Sequence, residues 1–154
     1  MAGLRALFES MGHTDVATYI QSGNVVFTAA KAVTPVSLER AIAAEFGIEP
    51  AVVLRTPKEL AAAIRANPFP RADPTRLHVG FMANAPAAAT LAKIDAEPFR
   101  PEEFAVRGHD LYLHLPDGMG RAKLPPFLDR RLRIPTTVRN WNTVNKLLEL
   151  SAPS

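Results

Sequence analysis

A chain of 154 residues, 47% hydrophobic and 21% charged, has enough apolar material for one ordinary domain or two small packed ones, which excludes wholesale disorder. No run approaches the roughly 18 apolar residues that a membrane-spanning helix needs, and the lack of cysteine excludes disulfides, thiolate metal sites and cysteine nucleophiles. The net charge of +3 is unevenly spread: residues 117–146 carry Arg121, Lys123, Arg130, Arg131, Arg133, Arg139 and Lys146 against only Asp117 and Asp129, a field suited to phosphates or an acidic partner.

Leu4, Leu7, Phe8 and Met11 recur at helical spacing, and Gly12 follows as a stop. Val16-Ala17-Thr18-Tyr19-Ile20-Gln21 and Asn24-Val25-Val26-Phe27-Thr28, parted by Ser22-Gly23, read as a hairpin or as one strand with a glycine bulge. Thr34 or Ser37 starts the next helix, which Gly47 ends, and residues 51–55 read as a short strand. Thr56-Pro57-Lys58-Glu59 opens a third helix, stopped at Asn67-Pro68-Phe69-Pro70. The second half runs as a strand over Leu77–Met82, a helix over 86–94, and a hairpin of 103–106 with 111–115. A glycine loop follows, then a helix over 124–132, a strand over 136–138 and a helix over 142–150.

Strand, helix, hairpin, helix, strand is the order of a ferredoxin-like unit. The first half shows this order with its opening strand absent. The expected fold class is therefore α+β: two tandem ferredoxin-like units, the first missing its opening β-strand. Their expected bounds are 1–67 and 68–154, joined through the proline-rich stretch at 68–74.

Three motifs carry a resemblance. Thr18-Tyr19-Ile20-Gln21-Ser22-Gly23-Asn24-Val25-Val26-Phe27, Asp117-Gly118-Met119-Gly120-Arg121-Ala122-Lys123-Leu124 and Arg139-Asn140-Trp141-Asn142-Thr143-Val144 make the chain similar, over essentially its whole length, to the bacterial family catalogued as domain of unknown function 1697. The resemblance implies a small intracellular protein of two ferredoxin-like halves and assigns no activity. It also implies a strand and a glycine-containing arginine loop ahead of the first helix, which this chain lacks. Losing a central strand leaves buried backbone groups unpaired at about 1–3 kcal/mol each, against total stabilities of about 5–15 kcal/mol. The expectation is that the true start lies upstream of Met1, or that another chain closes the gap.

Three stretches could bind a ligand. In the loop at 117–123, Gly118 and Gly120 permit positive φ and converging N–H groups, a helix N-terminus follows, and Arg121 and Lys123 add charge, which together would cradle a phosphate. The loop is neither a Walker A motif nor a dinucleotide fingerprint, and Asp117 with the glycines equally suits a tight turn. Gln21, Ser22 and Asn24 offer amides and a hydroxyl beside a turn, or simply turn chemistry. Arg139, Asn140, Trp141 and Asn142 precede the last helix, where either asparagine is a competent N-cap and Trp141 either covers the core edge or offers a stacking face.

The histidines and carboxylates show no metal-ligand spacing and no catalytic constellation. No catalytic residue, metal or cofactor is assigned. The leading reading is a non-catalytic binding protein for a phosphate-bearing ligand, a nucleotide or RNA. One alternative is an enzyme acting on a small polar substrate between the two units through Gln21, Asn24, Asp117 and Arg139. The other is an interaction module, a homodimer paired through an exposed sheet edge. With no apolar signal segment at the N-terminus, the expected compartment is the cytoplasm.

Overall fold

The computed structural model describes residues 2–19, 23–48 and 50–151. It shows a mixed α+β protein with six helices and two antiparallel sheets among the described residues. The chain divides into two compact units, Met1–Pro57 with Lys146–Ser154, and Lys58–Asn145. The third helix thus sides with the second unit, where the sequence reading put it in the first.

In the first unit, α1 (Ala2–Ser10) is followed by the antiparallel pair β1 (Thr14–Tyr19) and β2 (Asn24–Thr28), with Thr18 opposite Val25 and Tyr19 opposite Asn24. α2 (Pro35–Phe46) has its start settled by a reciprocal cap. The Thr34 hydroxyl accepts from the Ser37 N–H at 3.1 Å, and the Ser37 hydroxyl accepts from the Thr34 N–H at 3.2 Å. Gly47, at φ 67°, ends it by donating its N–H to the Ala43 carbonyl at 2.9 Å. Phe8, Val16 and Leu38 are the buried core, and Leu4, Met11, Val25, Phe27, Val52 and Leu54 pack partly buried around them.

The strand expected at 51–55 does not form. Val52 and Leu54 reach the same core as Val25 and Phe27, but the sheet of this unit contains only β1 and β2 among the described residues. The Val52 N–H goes instead to the Glu39 carboxylate of α2 at 2.8 Å. A strand needs a ladder partner, and this segment has none among the described residues.

In the second unit, α3 (Pro57–Arg65) leads to β3 (Leu77–Met82), α4 (Ala88–Ala92), β4 (Glu103–Arg107), β5 (Asp110–His114), α5 (Leu124–Leu132) and β6 (Thr136–Asn140). The sheet order is β4-β5-β3-β6, every neighbouring pair antiparallel. α6 (Trp141–Ser151) begins here and continues into residues assigned to the first unit.

β3 lies between two neighbours and is buried on both faces. One face carries Met82, Leu111, Leu113 and Leu115, closed by Leu124 and Leu128 of α5. The alternate residues Leu77, Val79, Phe81 and Tyr112 form the other face, where the Tyr112 hydroxyl donates to the Ala63 carbonyl of α3. α5 keeps the expected bounds, while two other helices shift: α4 is shorter than 86–94, and α6 starts one residue before Asn142, directly after β6.

Candidate functional site

The register gathers several polar residues at one end of the four-stranded sheet. Leu77 lies opposite His114, His114 opposite Glu103, and His78 opposite Asn140. The start of β3, the ends of β5 and β6 and the start of β4 therefore meet there.

Two short 3₁₀ turns cover this end. The first, Pro74–Arg76, is held by Asp73, whose carboxylate accepts from the Thr75 N–H at 2.9 Å and the Thr75 hydroxyl at 2.8 Å. These bonds hold the Asp73 carboxyl below its ordinary range. The second, Met119–Arg121, follows the end of β5. The Leu115 N–H donates to the Arg76 carbonyl at 2.8 Å, and the Gly118 N–H donates to the Leu115 carbonyl at 2.9 Å, tying the two turns together.

Gly118 has φ 88°, and a Cβ there would stand 2.5 Å from Nη1 of Arg76. The positive φ favours glycine there, and the guanidinium at the end of the exposed Arg76 side chain lies over it. The loop at 117–123 thus presents Arg76 together with Arg121 and Lys123. All three side chains are exposed; Arg76 lies close enough to Asp73 to help lower its carboxyl, and Arg121 and Lys123 have no ion-pair partner among the described residues.

The anticipated phosphate cradle is itself filled. Glu102 places its carboxylate on the start of α5, accepting from the Lys123 N–H at 3.1 Å and the Leu124 N–H at 2.8 Å. The protein's own carboxylate occupies the helix N-terminus, so an anion there would have to displace it. Of the two loop glycines, only Gly118 takes positive φ; Gly120 lies inside the 3₁₀ turn. Asp117 is exposed beside them.

At the end of β6, the Asn140 carboxamide oxygen accepts from the Asn142 N–H at 2.9 Å, which makes Asn140 the cap of α6. Its amide nitrogen reaches the Pro74 and Thr75 carbonyls at 3.4 and 3.5 Å, joining β6 to the first turn. Asn142 stays exposed on the first turn of α6, and Trp141 is half-buried.

Arg139 stands apart from Asn140. Val138 packs into the α5-side core, so strand alternation turns Arg139 to the opposite sheet face. There it is half-buried, donates to the Val138 carbonyl at 2.9 Å, and has its pKa lowered by desolvation. Asn24, in the first unit, is buried and donates to the Tyr19 carbonyl at 3.0 Å. This is the turn chemistry its sequence context allowed. Gln21 and Ser22 lie outside the described residues.

The structure also brings in two residues that spacing did not single out. Arg76 is 42 positions from Gly118, and only the β3–β5 pairing makes them neighbours. His78 is 8% exposed, its Nδ1 has no hydrogen-bond partner among the described residues, and burial lowers its pKa, keeping it neutral. Among the described residues no group of three or more His, Asp or Glu could hold a metal ion, and no helix is long and apolar enough to cross a membrane.

Two antiparallel sheets with helices, and a cationic turn pair at the end of the larger sheet, define a mixed α+β protein with an exposed basic loop. The chain belongs to the family described as Protein of unknown function (DUF1697), whose model matches residues 1–112. The two motifs at 117–124 and 139–144 lie beyond that match. A conserved bacterial protein from Streptococcus pneumoniae has a similar structure, with a TM-score of 0.68 at 19% sequence identity. The similarity covers 99% of this chain and 88% of that one, and at this identity it bears on the fold alone. No curated protein matches the chain.

Proposed function

We propose that this protein is a non-catalytic binding protein for a phosphate-bearing ligand, a nucleotide or RNA, held at the end of the four-stranded sheet by Arg76, Arg121 and Lys123. The observation that carries this reading is the Arg76 guanidinium lying over Gly118 of the 117–123 loop, 42 positions away in the chain. It sets three exposed cations around one loop, of which Arg121 and Lys123 have no ion-pair partner among the described residues. A guanidinium fork suits phosphate oxygens geometrically. Both units are read as ferredoxin-like, the second from its strand order β4-β5-β3-β6 and the first as the same plan without its opening strand.

The test is a titration of the full chain with nucleotides and short RNA at two salt concentrations, repeated on the Arg76→Glu/Arg121→Glu double variant. Each lost charge-assisted bond is worth about 1.5–3 kcal/mol, so binding should weaken at least tenfold. Binding to the native chain should also fall as salt rises. Unchanged affinity in the variant rules this site out.

One observation favours a second reading, in which two copies pair through a sheet edge. β2 has a strand neighbour on one side only, and the 51–54 segment lies against the same core without strand pairing among the described residues. An open edge of this kind is a template for another strand.

A further inference from the structure

We propose a second anion site in the Lys58–Asn145 unit, in the groove between α4 and α5, that takes the phosphate group of a small molecule. It uses none of the residues of the loop site and stands or falls separately from it. The groove, open to solvent along one side, has a volume of about 210 Å³ and is lined by Ala89, Thr90, Lys93, Ile94 and Arg131.

The polar side chains among its lining residues all carry donors: a hydroxyl, an ammonium and a guanidinium. No carboxylate lines it. Among the described residues the side chains of Thr90, Lys93 and Arg131 have no hydrogen-bond or ion-pair partner. The acid next in sequence, Asp95, is already engaged, accepting from the Glu97 N–H at 3.0 Å.

Arg131 is also held in place. Its guanidinium carbon lies 4.9 Å from the centre of the Phe127 ring, and Phe127 stacks on Phe99 at 4.6 Å between centroids. Both rings pack against the α5-side core. This cation–π contact uses none of the guanidinium N–H groups as hydrogen-bond donors to another residue, and such a fork can recognise an oxyanion in bidentate fashion. Much of the ordering cost for this side chain is therefore met before a ligand arrives.

Charge and size select the ligand. Lys93 and Arg131 together supply two positive charges, which match a phosphate monoester near neutral pH. Ile94 and Ala89 give an apolar wall for a short carbon skeleton. The volume is below the roughly 300–1,000 Å³ of sites for drug-sized ligands, a size that suits a small phosphorylated metabolite.

The experiment is a residue-resolved NMR titration of the full chain with inorganic phosphate and with glycerol 3-phosphate. Saturable amide shifts are expected at 89–94 and 127–132. They should weaken at least tenfold in Lys93→Glu/Arg131→Glu and persist in Arg76→Glu/Arg121→Glu. The first pair of substitutions falls on exposed side chains, and an unchanged amide spectrum of the free variant verifies its fold. No saturable shift at 89–94 and 127–132, shifts confined to 118–123, or shifts indifferent to the Lys93 and Arg131 substitutions would each overturn the proposal.

Discussion

Tyr112 is fully buried, and its hydroxyl donates to the Ala63 carbonyl. Ala63 sits in the last turn of α3, where carbonyls have no donor within their own helix. The bond therefore completes a helix end and fastens it to β5. Desolvation, with a smaller contribution from the Asp110 carboxylate, pushes the phenol up to about 12. Tyr112→Phe leaves the Ala63 carbonyl buried without this donor and should cost about 1–3 kcal/mol in denaturant unfolding at neutral pH. The folded protein holds the phenolic proton more tightly than the unfolded chain, so this stabilisation is whole below pH 10 and is lost as pH rises through about 12. The gap between native protein and variant should accordingly narrow across that interval. A gap that stays constant would mean the phenol titrates normally.

Other side chains at this scale were legible in part. Asn24 and Asn140 each had a local role open to them in sequence, a turn bond and a cap, and each took it. Short polar side chains satisfy nearby backbone first, because the partner is already within reach at little entropic cost.

Among the elements, α5 shows how a local pattern and a distant residue share one helix end. Pro125 and Pro126 lie in its first turn, where a missing N–H costs nothing. The N–H groups that remain at Lys123 and Leu124 are taken by Glu102, which lies 22 positions before Leu124. Glu102→Ala should cost about 0.5–2 kcal/mol, the usual loss for a helix cap, measurable by urea unfolding. It should also bare the helix start, so tighter phosphate binding at the loop is expected in this variant. A variant with native stability would show that water replaces the carboxylate without loss.

The C-terminal end of α2 was readable from Gly47, and its start was narrowed to Thr34 or Ser37, between which the reciprocal cap decides for Thr34. The strand expected at 51–55 was not readable, because alternating apolar residues specify which face is buried but not whether a neighbour is present. Val52 and Leu54 keep that alternation and pack inward, yet form no ladder among the described residues.

For the whole molecule, the contrast between the units is the main physical fact. The first buries Phe8, Val16 and Leu38 beside a two-stranded sheet, an arrangement of marginal stability in isolation. The second buries β3 from both faces within four strands. If copies pair through the open edge, sedimentation should show a dimer whose fraction rises with protein concentration and needs no added ligand. Proline substitutions at Val26, on β2, should abolish that dimer. A strictly monomeric, cooperatively folded protein across the concentration range would exclude pairing.

The amino-acid sequence by itself determined the mixed α+β class, the order of helices and hairpins, and the helix end at Gly47, since periodicity and capping act within a few residues. Only the tertiary structure decided that Arg76 would lie over Gly118, that Glu102 would fill the start of α5, and that Arg139 and Asn140 would face opposite ways. These depend on strand register and on contacts between residues far apart in the chain. Local patterning limits such contacts, but only packing and hydrogen-bond completion across the whole sheet choose among them.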